Sequence, residues 1–299
     1  MNKERLQIAI QKSGRLTKQC IDLLSNCGVK VPIVKDRLIA SCENMPIDIM
    51  LVRDDDIPLL VNEGISDVGI VGLNVCEEEK LKFKKDNDNE PFSICTSLKY
   101  GKCRLSFAYP QLWNKSKKSW SQYLQNTTIA TSYPNLVGDF LKKNNIKANI
   151  VYMAGSVEAA PRLGKADIIC DLVSSGSTLL ANNLVEGEIV LESTAVLIKN
   201  KTLSSENENL VNRLVKRIEA VQQASERKYI LLHAPRKSLK KICDILDSES
   251  PSIMPLEGDN DMVALHVLCK ENDFWDIAEE LKSAGASSIL VMPVEKLLP

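Results

Sequence analysis

The sequence predicts an α/β protein with three domains, in which two α/β lobes precede a smaller ferredoxin-like domain. Three observations support this prediction. Apolar runs of strand length alternate with helical segments from residue 6, the alternation restarts near residue 92, and the C-terminal region follows the order β-α-β-β-α-β. We expect a cleft between the two lobes. The predicted boundaries are 1–98 for lobe I with a return segment at 181–224, 99–180 for lobe II, and 225–299 for the ferredoxin-like domain.

Lobe I begins with a buried strand that is followed by basic side chains. Its predicted elements are strands Leu6–Ile10, Ile47–Val52 and Asp67–Val71, and helices Thr17–Cys27 and Ile57–Glu63, which Gly28 and Gly64 close. Lys12 and Arg15 flank Gly14 after the first strand, where open α/β sheets place their ligands. A solvated turn is the alternative for this loop. Asp54–Asp56 suit the positive start of a helix and are interpreted as caps.

The remaining elements follow from the same patterns of apolar residues. Lobe II is predicted to contain strands Ile94–Leu98, Arg104–Ala108, Thr128–Thr131 and Ile150–Met153, helices Leu136–Lys143 and Ser156–Leu163, and a polar loop at Asn114–Ser119. Strand segment Glu188–Lys199 is expected to cross back to lobe I, and Glu206–Arg227 to form a long helix with one apolar stripe. In the last domain the predicted strands are Tyr229–Leu232, Ser252–Leu256, Val263–Cys269 and Ser288–Met292. The predicted helices are Lys237–Leu246 and Asp273–Ala284.

Composition excludes several classes of function. Lysine and arginine total 38 against 39 acidic residues, so no overall charge attracts nucleic acid or an acidic membrane, and we expect neither as a partner. The N-terminal apolar run is too short for a signal peptide, and nine cysteines without a Cys-x-x-Cys pair indicate reduced thiols; we therefore expect a cytoplasmic protein. With only two histidines, a histidine-rich zinc site is excluded and a Ser-His-Asp triad is disfavoured.

The most informative stretch lies at the end of the strand that finishes lobe II. Four hydroxyl side chains surround Gly176 directly after the apolar run, and a helix can begin next. Glycine allows a tight turn, and the amides and hydroxyls at a helix start converge on an anion. Asp171, just upstream, is placed to accept hydrogen bonds from a sugar diol. The absence of a lysine excludes a nucleoside-triphosphate P-loop. An ordinary strand–turn–helix with a capping Ser or Thr is the alternative.

Several motifs in order resemble one family. They are Ala9-Ile10-Gln11-Lys12-Ser13-Gly14-Arg15-Leu16, Glu43-Asn44-Met45-Pro46-Ile47-Asp48-Ile49, Val52-Arg53-Asp54-Asp55-Asp56-Ile57-Pro58, Ala130-Thr131-Ser132-Tyr133-Pro134, Gly155-Ser156-Val157-Glu158, Cys170-Asp171-Leu172-Val173-Ser174-Ser175-Gly176, His233-Ala234-Pro235 and Gly285-Ala286-Ser287-Ser288-Ile289-Leu290. The chain resembles the long form of ATP phosphoribosyltransferase, the first enzyme of histidine biosynthesis. The resemblance implies two lobes like those of solute-binding proteins and a reaction with magnesium, in which N1 of the adenine of ATP joins C1 of phosphoribosyl pyrophosphate and pyrophosphate leaves. It also implies inhibition by histidine through the C-terminal domain and a homohexamer.

The resemblance and the chemistry of the residues together give a set of candidate site residues. We expect Asp171, Ser174, Ser175, Gly176, Ser177 and Thr178 to bind phosphoribosyl pyrophosphate. Lys12, Gly14, Arg15, Arg53 and Arg104 are the candidates for the triphosphate and pyrophosphate, with Asp171, Lys12 and Glu158 as the catalytic set. Surface ion pairs are the alternative for the arginines, and a carboxylate facing a helix dipole is the alternative for Glu158. Substrate oxygens are expected to hold Mg²⁺, so no residue is assigned to metal.

The candidates for the regulatory site lie in the last domain. We expect His233, Ser252 and Ser288 to contact histidine, although His233 and His266 also fit a purely structural role. Two rival functions remain open at this point. One is a small-molecule sensor or solute-binding protein, which also uses two lobes around a cleft; the other is a phosphoribosyltransferase acting on a different base.

Overall fold

The computed structural model describes residues 5–32, 37–84, 90–111, 113, 120–246, 251–270 and 274–298. Two compact units divide the chain, Met1–Asn212 and Arg213–Pro299. Within the described ranges, no helix is both long enough and apolar enough to cross a membrane. The predicted loop at Asn114–Ser119 and the predicted helix start at Asp273 lie outside the described residues.

The first unit is built on one mixed sheet. Its strands are β1 (Leu6–Gln11), β2 (Ile39–Ser41), β3 (Ile47–Val52), β4 (Val68–Gly72), β5 (Ser93–Pro110), β6 (Thr128–Thr131), β7 (Asn149–Tyr152), β8 (Ile168–Val173) and β9 (Leu184–Lys199). Its helices are α1 (Thr17–Asn26), α2 (Ile57–Asn62), α3 (Leu73–Phe83), α4 (Trp120–Leu124), α5 (Pro134–Lys143) and α6 (Ser177–Ala181). The described strands are ordered β2-β3-β1-β4-β9-β5-β8-β6-β7.

Two parallel cores within this sheet correspond to the two predicted lobes. In lobe I, β1 is parallel to both β3 and β4, and in lobe II, β6 is parallel to both β7 and β8. Ile8, Ile10 and Ile49 are fully buried in lobe I, as are Ile129 and Ile168 in lobe II. Helices cover both faces of such strands, which explains why they appear in the sequence as continuous apolar runs. The predicted pair of α/β lobes is therefore confirmed.

The lobes are joined by two long antiparallel strands. Residues 93–98 of β5 pair with 195–199 of β9 in lobe I, and residues 103–110 pair with 184–193 in lobe II. A bulge separates the two ladders, and Gly101 adopts a φ of +69° there. Two predictions need correction. Segments 94–98 and 104–108, predicted as two strands, belong to the single strand β5. The chain, predicted to return to lobe I at residue 181, returns inside β9 near residue 194. Neither correction was available from local periodicity, since the strand continues through polar residues.

Three further differences concern short or polar elements. Helix α3 was not predicted, because its only buried side chains are Asn74, Val75 and Cys76 and five of the next six residues are charged. The predicted helix Ser156–Leu163 shortens to a 3-10 turn at Val157–Ala159, since Pro161 has no N–H for a helical hydrogen bond. Strand β2, an edge strand of three residues, was also missed.

The second unit contains the predicted ferredoxin-like domain. Helix α7 (Ser205–Ser225) includes the boundary between the units, and β10 (Arg227–Pro235), α8 (Leu239–Ile245), β11 (Ser252–Leu256), β12 (Asp259–Lys270), α9 (Phe274–Ser283) and β13 (Ser287–Pro293) follow. The strands are ordered β11-β12-β10-β13, and each neighbouring pair is antiparallel. Ile230, Leu232 and Leu265 are fully buried in a core that includes Ile242 and Leu281 from the two helices. This strand order and connectivity confirm the βαββαβ prediction.

Candidate functional site

The hydroxyl-rich loop forms an open turn at the end of β8. Gly176 adopts a left-handed conformation, with a φ of +78°, immediately before α6. The side chains of Ser174, Ser175, Ser177 and Thr178 lie around it, and the hydroxyls of Ser175 and Ser177 are 3.0 Å apart. The turn therefore presents several hydroxyls and the first amides of a short helix to one region of solvent, an arrangement that suits a phosphate group.

Asp171 lies on β8 just before this loop, partly buried. Its carboxylate accepts a hydrogen bond from the backbone N–H of Leu172 at 2.8 Å and another from the Ser132 hydroxyl. Burial raises the pKa of Asp171, and the nearby negative charge of Glu158 raises it further. Glu158 is on the 3-10 turn Val157–Ala159, and Val157 packs in the same buried cluster as Val173 at the end of β8. The two predicted carboxylates lie beside the loop together.

Arg104 is next to the loop but is held by a carboxylate. Its guanidinium makes a two-pronged ion pair with Glu186, and Nη1 also points at the carbonyl oxygen of Ser174 at 3.4 Å. The hydrogen bonds to Glu186 raise the pKa of Arg104, and the same contact lowers the pKa of Glu186. Arg104 was predicted to bind phosphate, with a surface ion pair as the alternative. The structure shows the ion pair, and Arg104 also contacts the backbone of the hydroxyl-rich loop.

The basic loop after β1 is folded over its own strand end. The Lys12 N–H donates to the carbonyl oxygen of Val52 at 2.7 Å, which brings Lys12 beside Arg53 at the carboxyl ends of β1 and β3. The Gln11 side chain accepts the Leu16 N–H at 3.2 Å and so lies under the turn. Arg53 is 81% exposed, and its contact with Asp55 is 3.9 Å long, so its charge remains available to a ligand.

Gly14 and Arg15 complete this loop. Gly14 has a φ of +142°, and a Cβ there would come within 2.6 Å of the Gln11 side chain, so the turn needs glycine. Arg15 is exposed and extends to β5, where Nη2 lies 3.5 Å from the Cys103 sulfur. The loop of lobe I therefore reaches the strand that continues into lobe II.

An open pocket lies where these parts meet. It has a volume of about 530 Å³ and is lined by Lys102, Cys103, Arg104, Ser174, Glu192, Ser193 and Thr194. Its wall includes Ser174 from the hydroxyl-rich loop and Cys103, which Arg15 contacts. The volume is within the range of small-ligand sites. Two groups of residues that are far apart in the sequence thus reach one pocket beside the junction of the lobes.

Asn74 and Ser193 take part in this region and were not predicted. Asn74 is 4% exposed; its Nδ2 donates to the Tyr133 hydroxyl at 2.9 Å, and its Oδ1 accepts from the Ser193 hydroxyl at 2.8 Å. Burial raises the pKa of Tyr133, and the charges of Asp171 and Asp55 add to the rise. The Tyr133 phenol is therefore influenced by acidic groups of both lobes. A polar residue two positions after the buried strand β4 was the sequence signal for Asn74.

The candidate regulatory residues lie on the sheet of the second unit. His233 on β10 pairs with Ser287 on β13, and Ser287 is the neighbour of Ser288. Ser252 on β11 pairs with His266 on β12, toward the opposite edge of the sheet. The Tyr229 hydroxyl and His266 Nδ1 are 2.5 Å apart. His266 Nε2 is buried and has no partner among the described residues. The structure therefore separates the three predicted contacts into a His233–Ser288 group and a Ser252 group near His266.

Comparisons with known proteins identify sequences and structures that are similar to this chain. The sequence matches the family model described as HisG, ATP phosphoribosyltransferase, over residues 53–220, and the model of the HisG C-terminal domain over residues 224–296. The ATP phosphoribosyltransferase of the HisG:HisZ complex from Thermotoga maritima is 25% identical, with a TM-score of 0.57 and coverage of 72% of this chain and 98% of that chain. The alkanesulfonate-binding protein SsuA from Xanthomonas axonopodis pv. citri, bound to MOPS, is 14% identical, with a TM-score of 0.43 and coverage of 72% and 73%.

Proposed function

Since the chain belongs to the ATP phosphoribosyltransferase (HisG) family, with the C-terminal domain of the long form, we propose that it links the adenine N1 of ATP to C1 of phosphoribosyl pyrophosphate. The family is a group of pentosyltransferases of histidine biosynthesis, and pyrophosphate is the second product of the proposed reaction. One observation carries the proposal for this chain. Asp171 and the left-handed turn at Gly176 lie together at the end of β8, inside the matched range.

The loop and the carboxylate divide the work of holding the sugar phosphate. The hydroxyls of Ser174, Ser175, Ser177 and Thr178 and the amides after Gly176 bind the 5-phosphate. Asp171 accepts hydrogen bonds from the ribose hydroxyls, and its burial makes each such bond stronger than in water. Fixing the sugar in this way orients C1 toward the attacking adenine nitrogen and supplies much of the acceleration by positioning.

Charge stabilisation would come from the basic residues of lobe I. Positive charge builds on the ribosyl carbon as pyrophosphate departs, and negative charge builds on the pyrophosphate, so no covalent nucleophile is required. Lys12 and Arg53, which meet at the ends of β1 and β3, are placed to bind the phosphates of the two substrates, and Arg15 extends from the same loop. Glu158 shares the region of Asp171 and would steady the ribose or a magnesium ion.

We propose that magnesium enters this site together with the substrate. Among the described residues, no three His, Cys, Asp or Glu side chains are grouped so as to hold a metal ion. The Glu158 carboxylate would contact the ion or its waters, while pyrophosphate oxygens supply most of its ligands. When bound, the ion would neutralise the charge on the leaving pyrophosphate.

We further propose that histidine inhibits through the ferredoxin-like domain, that the enzyme assembles as a homohexamer and that it works in the cytoplasm. His233, Ser252 and Ser288 are the proposed histidine contacts. The position of His266 beside Ser252, with a buried ring nitrogen that has no described partner, adds a polar atom to the Ser252 group. Deleting residues 225–299 should abolish inhibition by histidine, and inhibition that persists would place the effector site elsewhere.

The catalytic proposal is tested by measuring pyrophosphate release from phosphoribosyl pyrophosphate with ATP and with a panel of other nucleotides. Turnover with ATP is expected, and turnover with another nucleotide alone would indicate a different phosphoribosyltransferase. Asp171→Ala should lower kcat/KM by about 10²-fold or more, and Thr178→Ala by about tenfold. Asp139→Ala, which removes a partly exposed ion pair with Lys143 on α5, is the matched control and should be near normal. Near-normal turnover of Asp171→Ala would refute the proposed sugar site.

A further inference from the structure

A carboxylate of lobe I caps a helix of lobe II. Glu78, on α3, accepts the Asn135 backbone N–H and the Asn135 Nδ2–H on Oε1 and the Leu136 N–H on Oε2, each at 2.8 Å. Helix α5 begins at Pro134, and the preceding Tyr133 provides no capping side chain of its own. The Asn135 and Leu136 amides at the start of α5 therefore have a carboxylate partner on α3 of the other lobe. A charged acceptor at a helix N-terminus is a strong cap, because it meets both free N–H groups and the positive end of the dipole.

A second contact from the same helix reaches the same segment. Asn74 is four residues before Glu78, so the two side chains project from one side of α3. Asn74 Nδ2 donates to the Tyr133 hydroxyl at 2.9 Å. The Ser193 hydroxyl of β9 holds Asn74 in place, since it donates to Asn74 Oδ1 at 2.8 Å and accepts from the Asn74 backbone N–H at 3.0 Å. Lobe I therefore holds residues 133–136 of lobe II at two points.

This segment leads directly to the carboxylate of the sugar site. Ser132, the residue before Tyr133, donates a hydrogen bond to Asp171. The strand before it is β6, a parallel neighbour of β8, and Thr131 lies opposite Cys170, next to Asp171. The Tyr133 N–H also donates to the Thr131 hydroxyl at 3.0 Å, which fixes the turn between strand and helix. A continuous set of contacts thus runs from Glu78 through the start of α5 to Asp171.

We propose that Glu78 is a positioning residue for the sugar site: its carboxylate holds the start of α5, and with it the Ser132–Tyr133 turn, so that Asp171 is oriented only when the lobes touch. This inference rests on the proposed function, since it assigns Asp171 to the ribose. Glu78 itself does not contact substrate. Its role is to make the orientation of a lobe II carboxylate depend on contact with lobe I, so that the site is completed by closure.

The test compares variants on two readouts in the full-length protein. Glu78→Gln keeps the shape of the side chain but loses the charge and turns an N–H₂ toward the helix amides. We expect faster hydrogen exchange at the Asn135 and Leu136 amides and a KM for phosphoribosyl pyrophosphate that rises about tenfold, with a smaller change in kcat. Glu77→Gln, the same change at a residue paired with Lys80, is the matched control and should alter neither readout.

A second variant guards against a general loss of folding. Tyr133→Phe removes the hydroxyl that Asn74 contacts without changing charge, and it should raise the same KM by a smaller factor. Unchanged amide exchange in Glu78→Gln would overturn the cap itself. Faster exchange with an unchanged KM would leave a structural cap and overturn the positioning role. If the wild-type protein released no pyrophosphate with any nucleotide, the proposed function would fail, while the exchange data would still decide the cap.

Discussion

The conformation of Gly176 allows the proposed phosphate loop to be tested with a single methyl group. Gly176 has a φ of +78°, and a Cβ built there would have only one neighbour, Val173 Cγ1, at 4.0 Å. Gly176→Ala therefore keeps every hydroxyl and every amide and causes no clash. What remains is the backbone preference of an L-residue, which disfavours the left-handed region by about 1–2 kcal/mol.

This energy sets the expected change in binding. The loop is exposed, so an alanine can relax to a right-handed conformation in the free enzyme and turn the following amides away from the phosphate. Binding must then restore the left-handed turn, and a cost of about 1–2 kcal/mol corresponds to an affinity that is about 5- to 30-fold weaker. We expect the KM for phosphoribosyl pyrophosphate to rise by this factor, with a small effect on the KM for ATP.

Initial-rate measurements at varied phosphoribosyl pyrophosphate, together with thermal unfolding, provide the assay. Gly258→Ala is the control, because Gly258 has a φ of +81°, a Cβ added there would have no neighbour within 4 Å, and the residue lies in the turn between β11 and β12. It carries the same backbone cost and should leave both KM values unchanged. The reasoning is refuted if Gly176→Ala, like the control Gly258→Ala, has the kinetics of the wild type, since the loop would then hold no ligand.

Three other outcomes follow from the site. Gly14→Ala should displace the Gln11 side chain and strain the basic loop at φ +142°, so kcat/KM should fall about 5- to 150-fold in rate assays. Burial and the charge of Glu158 raise the pKa of Asp171, and the ionised carboxylate is the form that accepts hydrogen bonds from the ribose. The acid limb of the kcat/KM profile should therefore lie at a higher pH than an ordinary carboxyl would give. Glu158→Gln should move this limb to lower pH, and a limb that does not move would contradict the assignment. Chelation of magnesium with EDTA should stop pyrophosphate release without changing the thermal unfolding midpoint, and a lowered midpoint would indicate a structural metal.

The parts of the site that depend on local sequence were predictable. The apolar run ending at Val173, the glycine at 176 and the helix start after it form a strand, a turn and a helix by local rules, and the structure has them in that order. The Lys12–Arg15 loop was predictable for the same reason, because a strand end and a glycine define it. In the last domain, the alternation of strands and helices sufficed for the whole βαββαβ order.

The parts that depend on distant residues were not predictable. Arg104 and Glu186 are 82 positions apart, and no local pattern indicates that one neutralises the other. Glu78 is part of a run of charged residues that resembles an ordinary solvated helix face, although its carboxylate binds the amides of another lobe. Periodicity reports which face of a segment is buried against its own lobe, whereas these contacts are set by how the lobes meet.

The route of β9 has a consequence for how the protein is made. Val68–Gly72 has its antiparallel neighbour at residues 195–199, so the first lobe lacks one strand until the second has been synthesised. A nascent chain that has just left the ribosome would expose the unpaired backbone of β4 beside apolar residues such as Ile70. Chaperone binding during translation would be most useful in this interval, which ends when residues 195–199 emerge.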